Sequence, residues 1–443
     1  MRTFTQRRTV RRTAIAVIAV ALFALIGFAS LAWRPAIAAI EPPARTSFSP
    51  ELITRGEVLA AEAHCASCHT GPGGEKFAGG YGVNTPFGVL YGTNITPDAE
   101  TGIGRWSLGA FTRAMREGVA RDGSHLFGAF PYWAYTKLYD DDVQALYAYL
   151  MTRPPVRATT PPNTVPFPLS IRSLEEGWKI LFFRSGRYRV DPAKSAEWNR
   201  GAYLAEAVSD CAGCHTPRNA LGGEKTSKAL GGAVIDHWIA PALTEANPSP
   251  VPWTQEELFS YLRTGLTPLH GAIAATMTPV IRDALALPVV PGGDVRAIAL
   301  YFSDISHISA RDSDIQATVK QALATSGLGS GQEYNPDAKL YAAACFSCHY
   351  NSATGPLSAR PELALNSALT LPEPTNFIQV VLKGVSNKEG APGLVMPAYA
   401  SSLSNADVAR LAAYLRRTRT RLSPWTDLEK KVAAARRELE ASR

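Results

Sequence analysis

Cys65-Ala66-Ser67-Cys68-His69 recurs as Cys211-Ala212-Gly213-Cys214-His215 and as Cys345-Phe346-Ser347-Cys348-His349. These three C-x-x-C-H pentads contain all six cysteines of the chain. In this motif the two thiols add across the vinyl groups of one haem, and the adjacent histidine presents its imidazole to the iron. The spacing therefore predicts three covalently bound haem c groups. The thioether links would be Cys65, Cys68, Cys211, Cys214, Cys345 and Cys348, and the proximal ligands would be His69, His215 and His349.

Zinc sites and redox dithiols also use C-x-x-C, but a zinc site needs a second pair of cysteines or histidines to complete four ligands. More than a hundred residues separate each pentad from the next, and the chain has no other cysteine. A disulfide framework would leave the three adjacent histidines unexplained. The haem interpretation accounts for every residue of the motif.

The chain has 443 residues, which suits about two to four domains, and three haem modules of roughly a hundred residues each fit that length. The formal net charge is +7, and much of the positive charge lies in the extreme N-terminus. This balance does not indicate a nucleic-acid-binding protein.

The N-terminus carries Arg7-Arg8 and Arg11-Arg12, followed by an uncharged run from Ala14 to Trp33. This order predicts export across the bacterial cytoplasmic membrane, with the arginines left inside. The run is long enough to span a bilayer, which favours an uncleaved anchor, but the small residues of Ala36-Ile37-Ala38 also offer a cleavage site. Arg7-Arg8 is also a weak twin-arginine signal. Either route places the remainder on the periplasmic side, where haem c is attached.

Two predicted helices frame each pentad. The first precedes it and is rich in small and apolar residues, beginning at Gly56, Gly201 and Ala338. The second closes each repeat with the pattern Asp-Val-x-x-Leu/Ile-x-x-Tyr-Leu/Phe, at 142–150, 294–302 and 407–415. Apolar residues at steps of three and four form one helix face, and the acid lies at the positive end of the helix dipole. Because the pattern occurs three times, it is an internal repeat.

A third predicted helix lies between these two in every repeat. Its first residues are Trp106-Ser107, Trp253-Thr254 and Pro374-Thr375, and its final glycines are Gly118, Gly265 and Gly384. Serine or threonine at the N-cap and glycine just past the end are the usual boundaries of a helix.

The sixth ligands follow from the distance to these glycines. Twelve residues after Gly265 and Gly384 come Met277 and Met396, each in what reads as irregular loop sequence. A thioether opposite the histidine is the usual sixth ligand of an electron-transfer haem c. We therefore predict Met277 and Met396 as the axial ligands of haems 2 and 3.

The first repeat has Phe130 at the same distance, and phenylalanine cannot bind iron. Met115 is three residues before Gly118, where the other repeats have apolar helix residues, so we interpret it as a core residue. His125 is a candidate ligand for haem 1, and a surface loop histidine is the alternative that we favour. Haem 1 is therefore predicted to be either five-coordinate or bis-histidine with a lower potential.

Three other segments carry predictions. Thr93–Gly104 is turn-rich, and it either wraps an edge of haem 1, with its amides and hydroxyls facing a propionate, or is a plain turn. The segment 156–195 is rich in proline, then aromatic and basic at Trp178–Arg184, and is interpreted as a connector that packs on a neighbouring surface, such as a partner subunit. The tail after Pro424 is predicted to be an exposed charged helix.

These patterns predict an all-α fold in which an N-terminal membrane segment is followed by three tandem class I cytochrome c domains. The predicted boundaries are a signal or anchor segment at 1–40, module 1 at 41–155, a connector at 156–195, module 2 at 196–310, module 3 at 330–422 and a charged helical tail at 423–443.

Longer stretches resemble the three-haem cytochrome c subunits of membrane-associated bacterial dehydrogenases. They are FAGGYGVNTPFGVLYGTNITPD at 77–98, TGIGRW at 101–106, FPYWAYTKL at 130–138, CHTPRNALGG at 214–223 and VMPAYA at 395–400. One branch of this family serves quinoprotein alcohol dehydrogenases and flavin-dependent sugar or gluconate dehydrogenases, and commonly has methionine at the position of Phe130. The other branch serves molybdenum hydroxylases of the nicotinate and isoquinoline type.

The chain resembles the molybdenum-hydroxylase branch more closely. The shared features are phenylalanine before Pro131-Tyr132, LMTRPPV at 150–156, WKILFF at 178–183 and RPELALNSA at 360–368. This resemblance implies a catalytic dehydrogenase partner and attachment to the membrane.

The sequence carries no dinucleotide-binding G-x-G-x-x-G after a strand, no P-loop and no hydrolytic serine elbow. Nothing in it would oxidise an organic substrate alone. The predicted role is to take electrons from the partner and pass them through the haems to a quinone or another cytochrome. Two alternatives stay open, a multihaem peroxidase acting at an open haem 1 and a freestanding shuttle cytochrome released by cleavage near Ala38.

Overall fold

The computed structural model describes residues 2–307, 315–328, 334–351, 360–385, 393 and 395–441. Helices predominate in this part of the chain. Their bounds are Arg2–Ala32, Pro50–Glu62, Cys65–His69, Leu108–Glu117, Tyr132–Tyr135, Asp140–Met151, Glu175–Phe182, Ala196–Tyr203, Cys211–His215, Gln255–Thr264, Met277–Val280, Gly292–Ile305, Ile315–Thr325, Pro336–Ala344, Phe346–His349, Ser367–Thr370, Thr375–Lys383, Asn405–Arg419 and Leu428–Ala441.

Three short antiparallel hairpins interrupt the helices, so the all-α prediction is wrong in this detail. They pair Gly82–Thr85 with Gly88–Tyr91, Ala233–Ile235 with Trp238–Ala240, and Leu266–Thr267 with Gly271–Ala272. The first two follow pentads 1 and 2, and the third lies between the helix Gln255–Thr264 and Met277.

The chain divides into two compact units. Unit 1 comprises Met1–Gly56, Cys68–Arg187 and Ala220–Gly223, and unit 2 comprises Glu57–Ser67, Tyr188–Asn219 and Glu224–Arg443. The division into three modules therefore stays a prediction, and the repeated elements below are described separately within each unit.

In the first two repeats the helix before the pentad approaches the closing helix at a glycine. A Cβ added to Gly56 would lie 2.0 Å from the carbonyl oxygen of Ala145, and one added to Gly201 would lie 1.9 Å from that of Ala297. Ala145 and Ala297 occupy the same position of the repeated pattern and are both buried. Only glycine allows the two backbones to come this close.

An ion pair lies next to this approach. Arg55 Nε donates to Asp142 at 2.7 Å, and Arg200 donates to both carboxylate oxygens of Asp294, at 2.8 and 2.9 Å. Each arginine directly precedes the glycine, and each aspartate begins the repeated pattern of the closing helix. The sequence-predicted pattern therefore marks one side of a packed helix pair in both repeats.

The third repeat has a similar ion pair with its charges exchanged, but its closing-helix partner lies three residues later in the repeated pattern. Asp337, directly before Ala338, accepts from Nε of Arg410 at 2.8 Å. Arg410 lies on the closing helix at the position of Ala145 and Ala297. In this repeat the acid is on the first helix and the base is on the closing helix.

Replacing Gly201 by valine should destabilise the protein by about 2 kcal/mol or more, because the new side chain cannot be placed without separating two backbones. The measurement is the thermal midpoint followed by circular dichroism. Gly186→Val is the matched control, since a Cβ at Gly186 meets nothing within 4 Å. Equal midpoints for the two variants would contradict the close approach.

The middle helices have the predicted boundaries in two repeats. Ser107 accepts from the backbone N–H of Ala110, Thr254 accepts from that of Glu257, and both helices end at a glycine with positive φ. In the third repeat the helix begins at Thr375, and its N-cap is Pro374, which has no side-chain cap. The predicted N-cap role of Thr375 is therefore wrong, although the helix and its final Gly384 are present.

The connector and the tail pack more closely than expected. Within the connector, Trp178 Nε1 donates to the carbonyl of Leu221 at 2.9 Å, and the Trp178 ring contacts the ring of Tyr132. This aromatic face packs on neighbouring residues of unit 1, and a contact with a partner subunit stays a prediction. The tail is not an exposed helix, because Val432 is fully buried and Arg436 donates to the carbonyl of Leu403 at 2.8 Å.

The N-terminal helix Arg2–Ala32 contains a stretch, Arg11–Ala32, that is long and apolar enough to cross a membrane. Its mean hydropathy is 2.7, and its side chains are exposed except for the half-buried Phe28 and the buried Ala32 at its end. A signal sequence has the same length and composition, so the anchor and the cleaved signal both stay predictions.

Candidate haem-binding sites

Each pentad forms a short helix, at Cys65–His69, Cys211–His215 and Phe346–His349. No disulfide joins any of the six cysteines. Burial raises the pKa of the Cys211 thiol to about 12 and that of the Cys345 thiol to about 11, and the neighbouring Asp210 and Cys348 add to these shifts. A redox dithiol needs a stabilised thiolate, with a lowered pKa. The raised pKa values of the Cys211 and Cys345 thiols are the opposite of what a redox dithiol requires.

The three pentad histidines share one hydrogen bond. Their Nδ1 atoms lie 2.6 Å, 2.7 Å and 3.4 Å from backbone carbonyl oxygens, in the pairs His69–Thr93, His215–Pro241 and His349–Pro361. A carbonyl can only accept, so Nδ1 carries the proton and Nε2 keeps its lone pair for a metal. Burial also lowers the pKa of each imidazole, which keeps it neutral, as ligation requires. The residues therefore fit haem c iron at all three sites.

Two of the three carbonyls that contact the pentad histidines lie just after a β-hairpin. Thr93 and Pro241 follow the strands Gly88–Tyr91 and Trp238–Ala240, which end beside pentads 1 and 2. The sequence analysis did not identify them, because a backbone carbonyl has no residue signature. The second hairpin was also not predicted from the sequence. Its turn residues, Asp236 and His237, both have positive φ, but the glycine that usually marks such a turn is missing.

The predicted methionine ligands lie in different local structures. Met277 begins the one-turn helix Met277–Val280, so the prediction of irregular loop is wrong there. Met396 forms an extended bridge with Val385, with N···O distances of 2.9 and 2.8 Å. Both side chains are half-buried.

Met277 and Met396 lie equally far from Gly265 and Gly384, but the backbone pairing near the two methionines differs. The residue after Gly384 pairs with Met396 itself, whereas the residue after Gly265 pairs with Ala272, five residues before Met277. The equal spacing is therefore weaker support for two equivalent methionine ligands than it was from the sequence alone. Met277 and Met396 stay predictions as haem ligands.

Haem 1 differs at its distal side. Phe130 packs against Tyr135, with ring centroids 5.4 Å apart. Met115 is buried in the helix Leu108–Glu117, in agreement with its interpretation as a core residue.

His125 is not a surface loop histidine, because only 2% of it is exposed. Its Nε2 lies 2.7 Å from the carbonyl oxygen of Ala32, and its Nδ1 lies 3.0 Å from Nζ of Lys179. Since the ammonium can only donate, Nδ1 accepts and Nε2–H donates to Ala32. Both ring nitrogens are occupied in this arrangement, so it does not support His125 as a ligand of haem 1.

Lys179 completes this buried group. Its Nζ also donates to the carbonyls of Glu117 and Gly118, at 2.6 and 2.9 Å. Burial lowers the pKa of Lys179 to about 8, against the opposing effect of Glu176. The ammonium thus links the end of the middle helix of module 1 to His125.

The turn-rich segment Thr93–Gly104 contacts the proximal side of the first site through the Thr93 carbonyl. Its other polar groups bond mainly to one another and to the connector. Asn94 donates to Thr101 at 2.9 Å and to the carbonyl of Val156 at 2.7 Å, and Asp98 accepts from the Thr101 N–H at 2.6 Å. A contact of this segment with a propionate stays a prediction.

The second repeat contains a buried histidine, His270, outside its pentad. His270 stacks on Trp253, with ring centroids 3.6 Å apart, and its Nδ1 lies 3.0 Å from the hydroxyl of Ser249. Burial lowers the pKa of His270 to about 3, although a hydrogen bond with the Pro252 backbone opposes the shift. The 3.5 Å distance to Glu257 is therefore not an ion pair at neutral pH.

His270 makes the stability of module 2 dependent on pH. Because its folded pKa is below the unfolded value of about 6.5, its contribution is complete above pH ~6.5 and is lost as pH falls towards ~3, by up to about 1.4 kcal/mol per pH unit. The thermal midpoint of His270→Gln should therefore fall less steeply with acid than that of the wild type. The control is His237→Gln, since His237 is exposed. Parallel acid profiles for His270→Gln and the wild type would contradict this assignment.

Among the residues that the structure describes, no group of three or more His, Cys, Asp or Glu side chains could hold a metal ion. Within the described residues, the pentads therefore lack the four clustered donors that a structural zinc site requires.

Known proteins match this organisation. Residues 53–154 match the family model described as Cytochrome c, and residues 333–415 match that of Cytochrome C oxidase, cbb3-type, subunit III. A nicotinate dehydrogenase subunit of Pseudomonas putida is 43% identical over 92% of this chain. The match covers 34% of that relative, so the chain spans about a third of its length.

Two shorter relatives match over most of their own length. The fructose dehydrogenase cytochrome subunit of Gluconobacter japonicus is 36% identical over 85% of this chain and 80% of the relative. The cytochrome c subunit of the quinone alcohol dehydrogenase of Gluconobacter oxydans is 33% identical over 83% and 78%. These matches confirm the resemblance drawn from the sequence motifs. The chain belongs to the family of cytochrome c subunits of dehydrogenase complexes, and it transfers electrons through covalently bound haem c.

Proposed function

We propose that the chain carries three haem c groups, in three tandem class I cytochrome c domains, and passes electrons from a catalytic dehydrogenase partner to a quinone or a second cytochrome. The observation that carries this proposal is the common arrangement at the pentads. At each, two cysteines precede a histidine whose Nδ1 is bonded to a backbone carbonyl. When bound, haem c supplies the one-electron chemistry, and the chain holds and orients it.

The partner we propose is a molybdenum hydroxylase. The motifs at 150–156, 178–183 and 360–368 support this branch, as does the 43% identity to the nicotinate dehydrogenase subunit of Pseudomonas putida. A quinoprotein alcohol dehydrogenase or a flavoprotein sugar dehydrogenase is the alternative, supported by the relatives from Gluconobacter.

The site of action we propose is the periplasmic side of the bacterial cytoplasmic membrane. The stretch Arg11–Ala32 has the length, hydropathy and exposure of a membrane anchor, and a basic segment precedes it. An anchored cytochrome is confined to the plane in which a membrane quinone diffuses.

The test is to purify the full chain from detergent-solubilised membranes of its own host and identify the proteins that accompany it. We expect a molybdopterin-containing subunit, and reduction of the haem absorbance when substrates of that subunit are added. A quinoprotein or flavoprotein would support the alternative branch. A chain that leaves the membrane in high salt and purifies alone would support a freestanding shuttle and contradict the proposal.

One observation keeps a second function in consideration. Phe130 replaces the expected methionine, and both nitrogens of His125 are already bonded. An open haem 1 would make the chain a multihaem peroxidase. That function requires carbon monoxide binding by one ferrous haem together with turnover of peroxide, whereas carbon monoxide binding without turnover leaves electron transfer as the function.

A further inference from the structure

We propose that residues 167–181 form a second membrane contact, an apolar strip that inserts into the headgroup region of the lipid bilayer beside the N-terminal helix. The strip ends in the connector helix Glu175–Phe182. This inference rests on the membrane attachment proposed above. Its occupant is the lipid surface itself, not a protein.

The strip concentrates exposed apolar side chains. Its large apolar residues have exposed fractions between 40% and 80%: Phe167, Leu169, Ile171, Leu174, Ile180 and Leu181. Single exposed apolar residues are normal on soluble proteins, but six of them within fifteen residues favour a contact with a membrane or a partner.

The connector helix has the reverse of the usual amphipathic arrangement. Its charged residues Glu176 and Lys179 are buried against the protein, whereas Ile180 and Leu181 face outwards. A helix on a water-exposed surface places its charges outside and its apolar residues inside. An apolar medium outside the protein would stabilise this arrangement, because it would cover Ile180 and Leu181.

Contacts with the N-terminal helix indicate that this medium is the lipid bilayer. A Cβ at Gly177 would lie 3.6 Å from the ring of Phe28, and Arg34 forms an ion pair with Glu176 at 3.0 Å. His125 also bonds to the carbonyl of Ala32, the last residue of the N-terminal helix. The connector helix is therefore held against the periplasmic end of the proposed membrane span.

The depth of this contact agrees with the headgroup region. Phe28 lies five residues before Trp33, or about 7.5 Å along the helix axis at about 1.5 Å per residue. Interfacial helices bury their apolar face about 5–10 Å into the boundary between headgroups and acyl chains. Trp33 is exposed just beyond the outer end of the span, where tryptophan is enriched in membrane proteins.

The test is photocrosslinking in native membranes. The full chain with Leu181→p-benzoylphenylalanine, or with Ile180→p-benzoylphenylalanine if the first variant does not accumulate, is irradiated and its intact mass is measured. We expect an increase equal to one phospholipid. Phe23, an exposed residue of the proposed span, is the positive control position, and the exposed Tyr81 is the negative control.

The outcomes separate the two proposals. Lipid adducts at Phe23 and Leu181, but not at Tyr81, support the inference. Lipid at Phe23 with a protein adduct or no adduct at Leu181 overturns the inference and leaves the anchor intact. Absence of lipid at Phe23 removes the membrane attachment itself, and the inference with it.

Discussion

Denatured wild-type protein should retain three haem groups after extraction with acidified organic solvent, and Cys211→Ala/Cys214→Ala should retain two. The reason is that each thioether is a covalent bond, which denaturation does not break, and each pentad supplies two thiols to one haem. The second pentad is the most informative, because the matched family segments, 53–154 and 333–415, do not include it. The measurement is intact mass together with haem absorbance per polypeptide.

Ser67→Ala is the control for this experiment, since it changes an intervening residue of pentad 1 and leaves both thiols in place. It should retain the full number of haems. If the double cysteine variant does not accumulate, the single variant Cys214→Ala should still carry three haems, one of them through a single thioether. A wild-type protein with two haems would show that one of the three pentads does not bind haem.

Met396→Ala should convert haem 3 from six-coordinate low-spin to high-spin or water-ligated iron and lower its reduction potential, and Met277→Ala should do the same to haem 2. A thioether stabilises the reduced iron, so its loss favours the oxidised state. The change should be a large step within the range of about 0.8 V over which axial ligands set haem potentials. Electron paramagnetic resonance and a spectroscopic redox titration measure both effects.

Met115→Leu is the matched control, because Met115 is buried in a helix and was interpreted as core from the sequence. It should leave all three haem spectra unchanged. Normal low-spin signals in Met277→Ala would eliminate Met277 as a ligand, and this is the more exacting test, since its local structure differs from that of Met396. A change in haem 1 on Met115→Leu would instead identify Met115 as its ligand.

The features visible in the sequence were those that depend on side-chain identity and regular spacing. The pentads, the closing helices and the glycine ends at Gly118 and Gly265 were predicted and lie where expected. Each has a direct physical signature, whether two thiols at a fixed separation, an apolar face at helical period or a residue with positive φ.

The features that the sequence did not show depend on which backbone groups meet. The carbonyls of Thr93, Pro241 and Pro361 are brought to the pentad histidines by chain folding, and no residue type is required for that contact. The same limit applies to His125. A histidine between polar loop residues resembled a surface residue, and its burial results from contacts with Ala32 and Lys179, which are far apart in sequence.

The exchanged charges of the third repeat have a consequence for folding. Three similar helix pairs in one chain can exchange partners, and such misassembly is the usual failure of repeated domains. If the first helix of repeat 3 paired with the closing helix of repeat 1, Asp337 would replace Arg55 beside the buried Asp142. Two carboxylates would then face each other without a cation, an arrangement that costs several kcal/mol. The reversed ion pair of the third repeat therefore disfavours this exchange of helices between repeats.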